Sequence, residues 1–260
     1  MQSPLHATTE ASQLGVGLAN DVYLRHRVAP RLGDINYLYL TDLLAVTKRF
    51  AAKVEGDLFD YGCGGSPYRY LFAHTRKYVG ADVTPGPTVD RLLNADGQTQ
   101  ELSDVYDAVL SSQVLEHIGN PGQYLAECFR ILKPGGCLLV TTHGMFEEHG
   151  CPYDFHRWTS RGLEQAAEAV GFQVVESLKL TTQIRGSIQL LHKFVTHLRC
   201  PERRLLHFVF AVIRKAYSWM GIPLFNRLGR SFEQQGIVAG ADQSSVYLGV
   251  AVIACKPQVS

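Results

Sequence analysis

Proton-handling side chains are concentrated in one short stretch, THGMFEEHGCPYDFHRWT at residues 142–159. Its imidazole, carboxyl and guanidinium groups belong to His143, Glu147, Glu148, His149, Asp154, His156 and Arg157. A histidine oriented by a carboxylate can remove the proton of a hydroxyl near neutral pH. We therefore predict His149 as a general base, Asp154 as its orienting or substrate-binding partner, and His143 as the second candidate for the base.

Other roles are open for the same region. Thr159 is a natural N-cap for the helix that follows it, so Asp154 and Arg157 could simply brace the N-terminus of that helix. Glu116 and His117, at the end of an earlier strand, could form an alternative acid/base pair or hydrogen-bond the next loop.

A second candidate site is the glycine-rich turn in LFDYGCGGSPY. A strand that ends at Asp60 and turns through Gly62 and Gly64 presents backbone N–H groups at the edge of a sheet and leaves room for a nucleotide-like ligand. Pro67 takes the place of the third glycine in the dinucleotide fingerprint G-x-G-x-x-G, which disfavours NAD. A helix over residues 68–74 is expected to begin directly after the turn.

Two acids follow at the spacing of a nucleotide site. Asp82 ends the next strand, about 20 residues after Asp60, where a carboxylate can accept hydrogen bonds from both ribose hydroxyls. Asp96, in NADGQ after a weak third strand, is in reach of an adenine amino group. The alternative for both is an ordinary acid in a loop.

Alternating strand and helix patterns position these residues. Strand patterns occur at 57–62, 77–82, 89–94, 106–112, 136–143, 172–180 and 245–256. Helical patterns occur at 35–53, 68–74, 122–132 and 161–170. The alternation predicts an α/β protein with a parallel, doubly wound sheet. Asp34 is predicted to cap the first helix, which would cover one face of the sheet.

Composition excludes several classes of protein. The 260 residues, 46% hydrophobic and 19% charged, can bury a full core. The net charge of +1, without a basic block, disfavours a nucleic-acid partner. Six scattered cysteines without a C-x-x-C pair predict reduced thiols in a cytoplasmic protein. We expect neither a secretory signal nor a membrane-spanning helix, because no apolar run reaches about 18 residues.

In their order and spacing, the motifs LFDYGCGGSPY, VGAD, NADGQ, YDAVLSSQVLEHIGNP and LKPGG resemble those of class I S-adenosylmethionine-dependent methyltransferases. The resemblance covers roughly residues 56–180 and the final strand. It implies S-adenosylmethionine as cofactor and a Rossmann-like, seven-stranded sheet whose last strand is antiparallel. The implied cofactor contacts are Asp60, Gly62 and Gly64 with the methionine part, Asp82 with the ribose, Asp96 and Gly97 near the adenine, and Ser112 and Gln113 in the pocket wall.

A metal site is not expected. In the quinone-biosynthesis O-methyltransferases the fourth-strand motif E-x-x-E-H can bind a divalent metal, whereas this chain has Gln113, Glu116 and His117 at the similar positions. The loss of one carboxylate weakens a Mg²⁺ site. The histidines and Glu148 of residues 142–159 contain no pair with the i, i+4 spacing of a helical metal motif.

The form HGCPYDFHRWT resembles a stretch of methyltransferases that are often found with polysaccharide and glycan biosynthesis. The expected reaction is therefore O-methylation of a saccharide or lipid-linked glycan. The alternatives are an N-, C- or quinone-type small-molecule methyltransferase, a non-catalytic partner protein that binds S-adenosylmethionine, and an NAD-dependent oxidoreductase. DNA-base methylation is disfavoured because SSQVLEH lacks the Asn/Asp-Pro-Pro-aromatic loop.

We predict a single domain over 1–260. Its parts are an N-terminal arm and helix (1–55), a cofactor-binding core (56–180), a helical insertion (181–242) and a final strand (243–260). Within the insertion, residues 203–230 combine apolar residues with flanking arginines and a lysine. This composition predicts either peripheral membrane contact or an amphipathic helix pair that packs on the sheet or at a homodimer interface.

Overall fold

A seven-stranded sheet forms the centre of the protein, as seen in a computed structural model that describes residues 24–94, 97–200, 202–234 and 245–258. The strands are β1 (Asp57–Tyr61), β2 (Lys77–Asp82), β3 (Arg91–Leu92), β4 (Tyr106–Ser112), β5 (Leu132–His143), β6 (Gln173–Thr182) and β7 (Tyr247–Cys255). Their order is β3-β2-β1-β4-β5-β7-β6, and only the pairings of β7 are antiparallel. The predicted Rossmann-like sheet with an antiparallel last strand is confirmed.

Six helices surround the sheet in the described part of the chain that follows residue 36. They are α1 (Tyr37–Ala51), α2 (Pro121–Ile131), α3 (Ser160–Ala169), α4 (Gln183–Thr196), α5 (Arg204–Ala216) and α6 (Ile222–Gln234). Short 3₁₀ helices cover Arg69–Phe72 and Leu115–His117, and a π-helical turn, Tyr217–Gly221, joins α5 to α6. The predicted helices over 122–132 and 161–170 are therefore present as α2 and α3.

The two helix caps predicted from sequence have different outcomes. Thr159 caps α3, because its side chain accepts a hydrogen bond from Gly162 N at 3.0 Å. Asp34 does not cap α1, whose N-cap position is Asn36. Asp34 instead accepts hydrogen bonds from the backbone N of Arg31 at 2.7 Å and from the guanidinium of Arg25 at 3.0 Å. Three residues before the helix, it stabilises a turn.

The helix predicted over 68–74 is a single 3₁₀ segment of four residues. The chain passes Ser66 with φ +46°, its helical segment ends at Phe72, and it enters β2 at Lys77. Thr75 ends the segment by donating its hydroxyl to Phe72 O at 2.7 Å. The glycine turn is consequently not backed by the N-terminus of a regular helix.

The core lies on both faces of the sheet. On one face, α2 and α3 place Leu125 and Leu163 against strand residues such as Val140. On the other face, α1 places Phe50 against strand residues such as Leu139. Side chains of a strand alternate between faces, so neighbouring apolar residues of the central strands are buried on opposite sides. This two-sided cover confirms the predicted role of α1.

The expectation of six reduced thiols is wrong for one pair. Cys137 on β5 and Cys255 on β7 lie directly opposite each other and form a disulfide, with their Cα atoms 4.1 Å apart. The two residues are 118 positions apart in sequence, so spacing alone gave no sign of the pairing. Cys63 and Cys128 are free and buried, whereas Cys151 is free and exposed.

The expectation of no membrane-spanning helix is also wrong, because one helix is long and apolar enough to cross a membrane, judged by length and composition alone. The continuous helical run Arg204–Glu233 has 30 residues, and its most apolar window has a mean hydropathy of 1.2. Charged residues such as Arg214 and Lys215 interrupt the run, so it does not read as an uninterrupted apolar segment in the sequence.

Candidate active site

The glycine turn is shaped by backbone contacts that exclude side chains. Gly62 has φ +78°, and a Cβ atom there would lie 2.5 Å from Val114 Cγ2. The backbone N atoms of Gly62 and Cys63 both donate to Ala81 O, at 2.8 and 3.0 Å. Gly64, with φ +50°, faces open space. The turn is therefore fixed against β2 while its outer side stays accessible to a ligand.

Asp82 closes this turn from the end of β2. One oxygen, Oδ2, accepts a hydrogen bond from Gly64 N at 2.9 Å, and Oδ1 accepts one from Thr84 N at 2.9 Å. The carboxylate is partly exposed, so its remaining acceptor positions face outward. This is the position predicted for ribose binding.

Asp60 lies at the base of the turn and is 4% exposed. Burial is the main cause that raises its pKa to about 7, and the nearby charge of Asp82 adds to the effect. A short hydrogen bond from the Tyr78 hydroxyl to Asp60 Oδ2 opposes the shift. Asp60, Gly62, Gly64 and Asp82 are called the glycine edge below.

The other predicted cofactor residues lie beside this edge. Gln113, directly after β4, has φ +60°, a left-handed conformation that is uncommon for non-glycine residues. Its side chain donates to Thr141 Oγ1 at 3.1 Å, and Ser112 Oγ accepts from the same hydroxyl at 3.4 Å. Gly97 O accepts a hydrogen bond from Tyr61. Asp96 lies outside the described residues.

Tyr39 links the two halves of the site, and the sequence did not single it out. Its hydroxyl donates to Gln113 Oε1 at 2.7 Å and lies 3.2 Å from His143 Nδ1. A Cβ atom at Gly249 on β7 would lie 2.6 Å from this hydroxyl, so glycine leaves the space that Tyr39 occupies. Its only sequence signal is a tyrosine on the apolar face of an amphipathic helix, where the buried hydroxyl needs a partner.

His143 and Glu116 form a buried pair. Their Nε2 and Oε1 atoms are 3.3 Å apart, and the residues are 5% and 0% exposed. Burial lowers the pKa of His143 to about 2, with a further contribution from nearby His149. Burial also raises the pKa of Glu116, although a hydrogen bond of 2.8 Å from Thr142 Oγ1 opposes this. Burial thus disfavours the charged form of both groups.

The hydrogen-bond partners fix the proton of this pair. The Tyr39 hydroxyl gives its proton to Gln113, so His143 Nδ1 must be the donor toward Tyr39. His143 Nε2 then carries a lone pair, which faces Glu116 Oε1. A protonated Glu116 can supply a hydrogen to that lone pair, whereas a carboxylate cannot. His143 thus bonds Tyr39 through Nδ1, while its Nε2 lies beside Glu116 Oε1.

His149 stands between this pair and the surface. Its side chain is 34% exposed, and its ring packs edge-on against His143 at 4.8 Å between centroids. Nδ1 lies 3.2 Å from the carbonyl of Glu147, which can only accept a hydrogen bond. Nδ1 therefore donates to this carbonyl, and in the neutral ring Nε2 is the nitrogen that can accept a proton. Tyr39, Glu116, His143 and His149 are called the histidine edge below.

Asp154 is the least direct of the predicted catalytic residues. Its Oδ2 lies 3.5 Å from His149 Nδ1 but accepts a hydrogen bond of 2.8 Å from the His149 backbone N. Arg157 binds both carboxylate oxygens, at 2.6 and 2.7 Å, and this pairing holds the pKa of Asp154 well below its usual range. Arg157 also donates to Phe146 O and Glu147 O. The pair clamps the loop around His149 and does not cap α3.

Three groups of the site have ligand atoms close enough to share a cation. Glu116, His143 and His149 each offer one such atom within 4.8 Å of the others. This set differs from the one weighed from sequence, because Glu116 comes from the 3₁₀ helix after β4. Glu116 Oε1 has no hydrogen-bond partner among the described residues. The expectation of no metal stays a prediction.

His117, the alternative base, is held by the same loop. Its Nδ1 lies 2.6 Å from Tyr153 O, and its ring contacts the ring of His149 at 4.9 Å between centroids. His117 therefore borders the histidine edge without a carboxylate partner from Glu116, which points to His143 instead.

Comparison with known proteins decides the family. Residues 36–177 match the protein family described as "Methyltransferase domain". This chain belongs to that family. The expected enzyme class and its methyl donor, S-adenosylmethionine, are confirmed at the level of the family, whereas the family match does not identify the acceptor.

Individual relatives are more distant. A Mycolicibacterium smegmatis protein named "Probable S-adenosylmethionine-dependent methyltransferase" is 28% identical over 58% of this chain and 65% of its own length. A ubiquinone biosynthesis O-methyltransferase of Cereibacter sphaeroides is 30% identical over 37% of this chain and 49% of its own length. The matched parts thus span about half to two thirds of these curated relatives.

Solved structures share the fold at low identity. A SAM-dependent methyltransferase from Archaeoglobus fulgidus has a TM-score of 0.51 at 16% identity and covers 90% of this chain and 99% of its own. The [4+2]-cyclase SpnF also has a TM-score of 0.51, at 18% identity, and covers 83% of this chain and 81% of its own. One of these two proteins is named as a methyltransferase and the other as a cyclase, so the fold alone does not determine the reaction.

Proposed function

We propose that this chain is an S-adenosylmethionine-dependent methyltransferase that methylates an oxygen atom of a saccharide or lipid-linked glycan, with His149 as the general base. The glycine edge would hold the methyl donor, with Asp82 on the ribose. The histidine edge would hold the acceptor hydroxyl, from which His149 Nε2 removes the proton as the methyl group is transferred.

The observation that carries this proposal is the difference between the two histidines. His143 is 5% exposed, bonds Tyr39 through Nδ1 and faces buried Glu116 with Nε2, so it cannot reach an acceptor. The ring of His149 is partly exposed beside the buried pair, and its Nδ1 bonds the Glu147 carbonyl, which leaves Nε2 for the acceptor. An alcohol is a weak nucleophile and gains most from a base in this position, whereas alignment with the methyl donor supplies the rest of the acceleration.

A second acceptor class is supported by the relatives. Several of them are named as ubiquinone biosynthesis O-methyltransferases, a name that indicates an oxygen acceptor. A phenolic hydroxyl ionises more readily than an alcohol and needs the base less. The two acceptor classes therefore predict different sensitivities to loss of His149.

The test combines binding and turnover. Calorimetry with S-adenosylmethionine, S-adenosylhomocysteine and NAD measures the cofactor, and transfer of a labelled methyl group to hexosides, lipid-linked saccharides and catechols measures the acceptor. Adenosyl binding with transfer to saccharides that depends on His149 supports the proposal. Adenosyl binding with transfer only to catechols favours the quinone-type acceptor. A failure to bind either adenosyl ligand would contradict both.

A further inference from the structure

The helical insertion exposes an apolar face that no other element covers in the described part of the chain. Helix α5 has 13 residues, none of them buried, although most of them are apolar. Large exposed side chains continue through the π-helical turn into α6: Leu205, Phe208, Val209, Val212, Ile213, Trp219, Met220, Leu224 and Leu228. Leu205 is 76% exposed and Trp219 is 77% exposed. Contiguous exposed patches of this kind mark interaction surfaces.

The spacing shows that these residues form one stripe along a continuous helix. Leu205, Val209 and Val212 follow the three- and four-residue steps of one helix face. The π-helical turn takes up one extra residue, which shifts the stripe by one position in sequence. After this shift the stripe continues with Met220, Leu224 and Leu228, which are again four residues apart.

Cationic side chains dominate around the stripe, and the acids Glu202 and Glu233 lie only at its two ends. Residues 203–232 contain six cationic side chains and no Asp or Glu: Arg203, Arg204, Arg214, Lys215, Arg227 and Arg230. In an isologous dimer the same patch meets itself, so a contact through this stripe would bring these cations together. An anionic surface with an apolar interior matches both properties at once.

The opposite face of α6 is fixed to the protein. Asn226 is 0% exposed and donates to Leu32 O at 2.8 Å and Asp34 O at 3.0 Å. Its carbonyl oxygen lies 3.0 Å from Nε2 of buried His192 on α4. Crossing a bilayer would require these contacts to break. The helix can lie on a membrane surface with its stripe inserted, while its other side stays docked.

We propose that α5, the π-helical turn and the outer face of α6 dock the protein on the surface of an anionic lipid bilayer. The surface is connected to the histidine edge through α4, whose Lys193 pairs with Glu147 at 2.5 Å and lies over the Phe146 ring at 5.4 Å. Docking would thus bring the loop of His149 near the lipid surface. The docking inference does not depend on the identity of the acceptor.

The experiment is vesicle flotation of the full chain with phosphatidylcholine alone and with added phosphatidylglycerol. We expect binding to the anionic vesicles that weakens as salt is raised, because exposed charges are screened. Replacement of Phe208→Glu together with Val212→Glu should weaken binding at least tenfold. The matched control is Leu102→Glu, which adds an acid at a 76% exposed leucine outside the stripe and should leave binding unchanged.

A second readout separates docking from misfolding and from dimer formation. The tryptophan fluorescence of the wild type should shift to the blue when anionic vesicles are added. The shift should be absent in Trp219→Phe, which retains Trp158. All variants should keep their affinity for S-adenosylmethionine. The proposal is overturned if the wild type binds neither kind of vesicle. It is also overturned if the wild type does not float and is instead a dimer that Phe208→Glu dissociates. Loss of methyl transfer with flotation intact would count against the proposed function alone.

Discussion

The glycine edge and the histidine edge lie side by side, yet they are built in different ways. At the glycine edge, the positions of Gly62 and Asp82 follow from backbone hydrogen bonds between neighbouring parallel strands. At the histidine edge, Tyr39 and Glu116 come from separate helical elements and meet His143 only in the folded protein. One edge is local in sequence, and the other depends on tertiary packing.

This difference suggests a division of labour. The local edge offers backbone groups and carboxylates that can bind a cofactor in a fixed position. The assembled edge holds neutral, buried side chains that leave one histidine exposed with its lone pair available. If the division is correct, substitutions at one edge should change cofactor binding, and substitutions at the other should change turnover.

The largest expected effect is on turnover at the histidine edge. His149→Ala should lower kcat about 10³-fold, as is typical when a general base is removed. It should change the affinity for S-adenosylmethionine less than about twofold. Methyl transfer and calorimetry on the same preparation measure both. Glu148→Ala, an exposed change in the same loop, is the control and should keep its activity. An equal loss of cofactor affinity in His149→Ala would end the division of roles.

The second largest effect is on binding at the glycine edge. Asp82→Ala should weaken S-adenosylmethionine binding about 100-fold, because two charge-assisted hydrogen bonds to the ribose together contribute about 3 kcal/mol. Calorimetric titration measures the change. The matched control is Asp57→Ala. Asp57 pairs with Arg76 at the start of β1, the opposite end of that strand from the glycine turn. Unchanged affinity in Asp82→Ala would remove this carboxylate from the cofactor site.

The third effect tests the proton between Glu116 and His143. Glu116→Gln keeps a donor toward His143 Nε2 and an acceptor for Thr142, so its free energy of unfolding should stay within about 1 kcal/mol of wild type at neutral pH. Glu116→Ala removes both and leaves a cavity, so it should lose about 3 kcal/mol. Denaturant titration measures these values. A large loss in Glu116→Gln would indicate an ionised pair instead.

The pH dependence of the same pair has a definite sign. A raised pKa means that folded Glu116 keeps a proton that the unfolded chain releases above pH 4.5, so its contribution to stability falls as pH rises from there. Glu116→Gln lacks this titration. Relative to wild type, the variant should therefore gain stability as pH rises above 4.5, and a constant difference would contradict a raised pKa of Glu116.

The fourth effect is a proton released on cofactor binding. With a pKa of about 7, Asp60 is about half protonated at pH 7. The cationic groups of S-adenosylmethionine favour the carboxylate, so binding should release about half a proton at that pH. Calorimetry in two buffers of different ionisation enthalpy measures the release. Asp60→Asn should abolish it, and identical heats for wild type in both buffers would place Asp60 away from the charges.

The smallest expected effect is that of chelation. A histidine base needs no cation, so EDTA should change methyl transfer less than about twofold. Loss of activity in EDTA that Zn²⁺ restores would assign Glu116, His143 and His149 to a metal site. Glu148→Ala treated in the same way controls for ions bound at the exposed surface of the loop.

The sequence predicted the parts of the protein that depend on local pattern. All seven strands lie where the alternation placed them, and Thr159 caps the helix that follows it. The disulfide between Cys137 and Cys255 was missed because the two residues meet through the order of the strands. Tyr39 was missed for the same reason, since its partners lie 74 and 104 positions away. Single-sequence patterns do not report such contacts.

The contact between Tyr39 and Gly249 has a consequence for the order in which the two edges can form during synthesis. Strand β7 lies between β5 and β6, although it is the last strand in the chain. The glycine edge needs only β1, β2 and β4, so it can form while the rest of the chain is still being made. The histidine edge needs β7 to receive the ring of Tyr39. We expect a nascent chain to acquire its cofactor site early and its acceptor site only after β7 has left the ribosome.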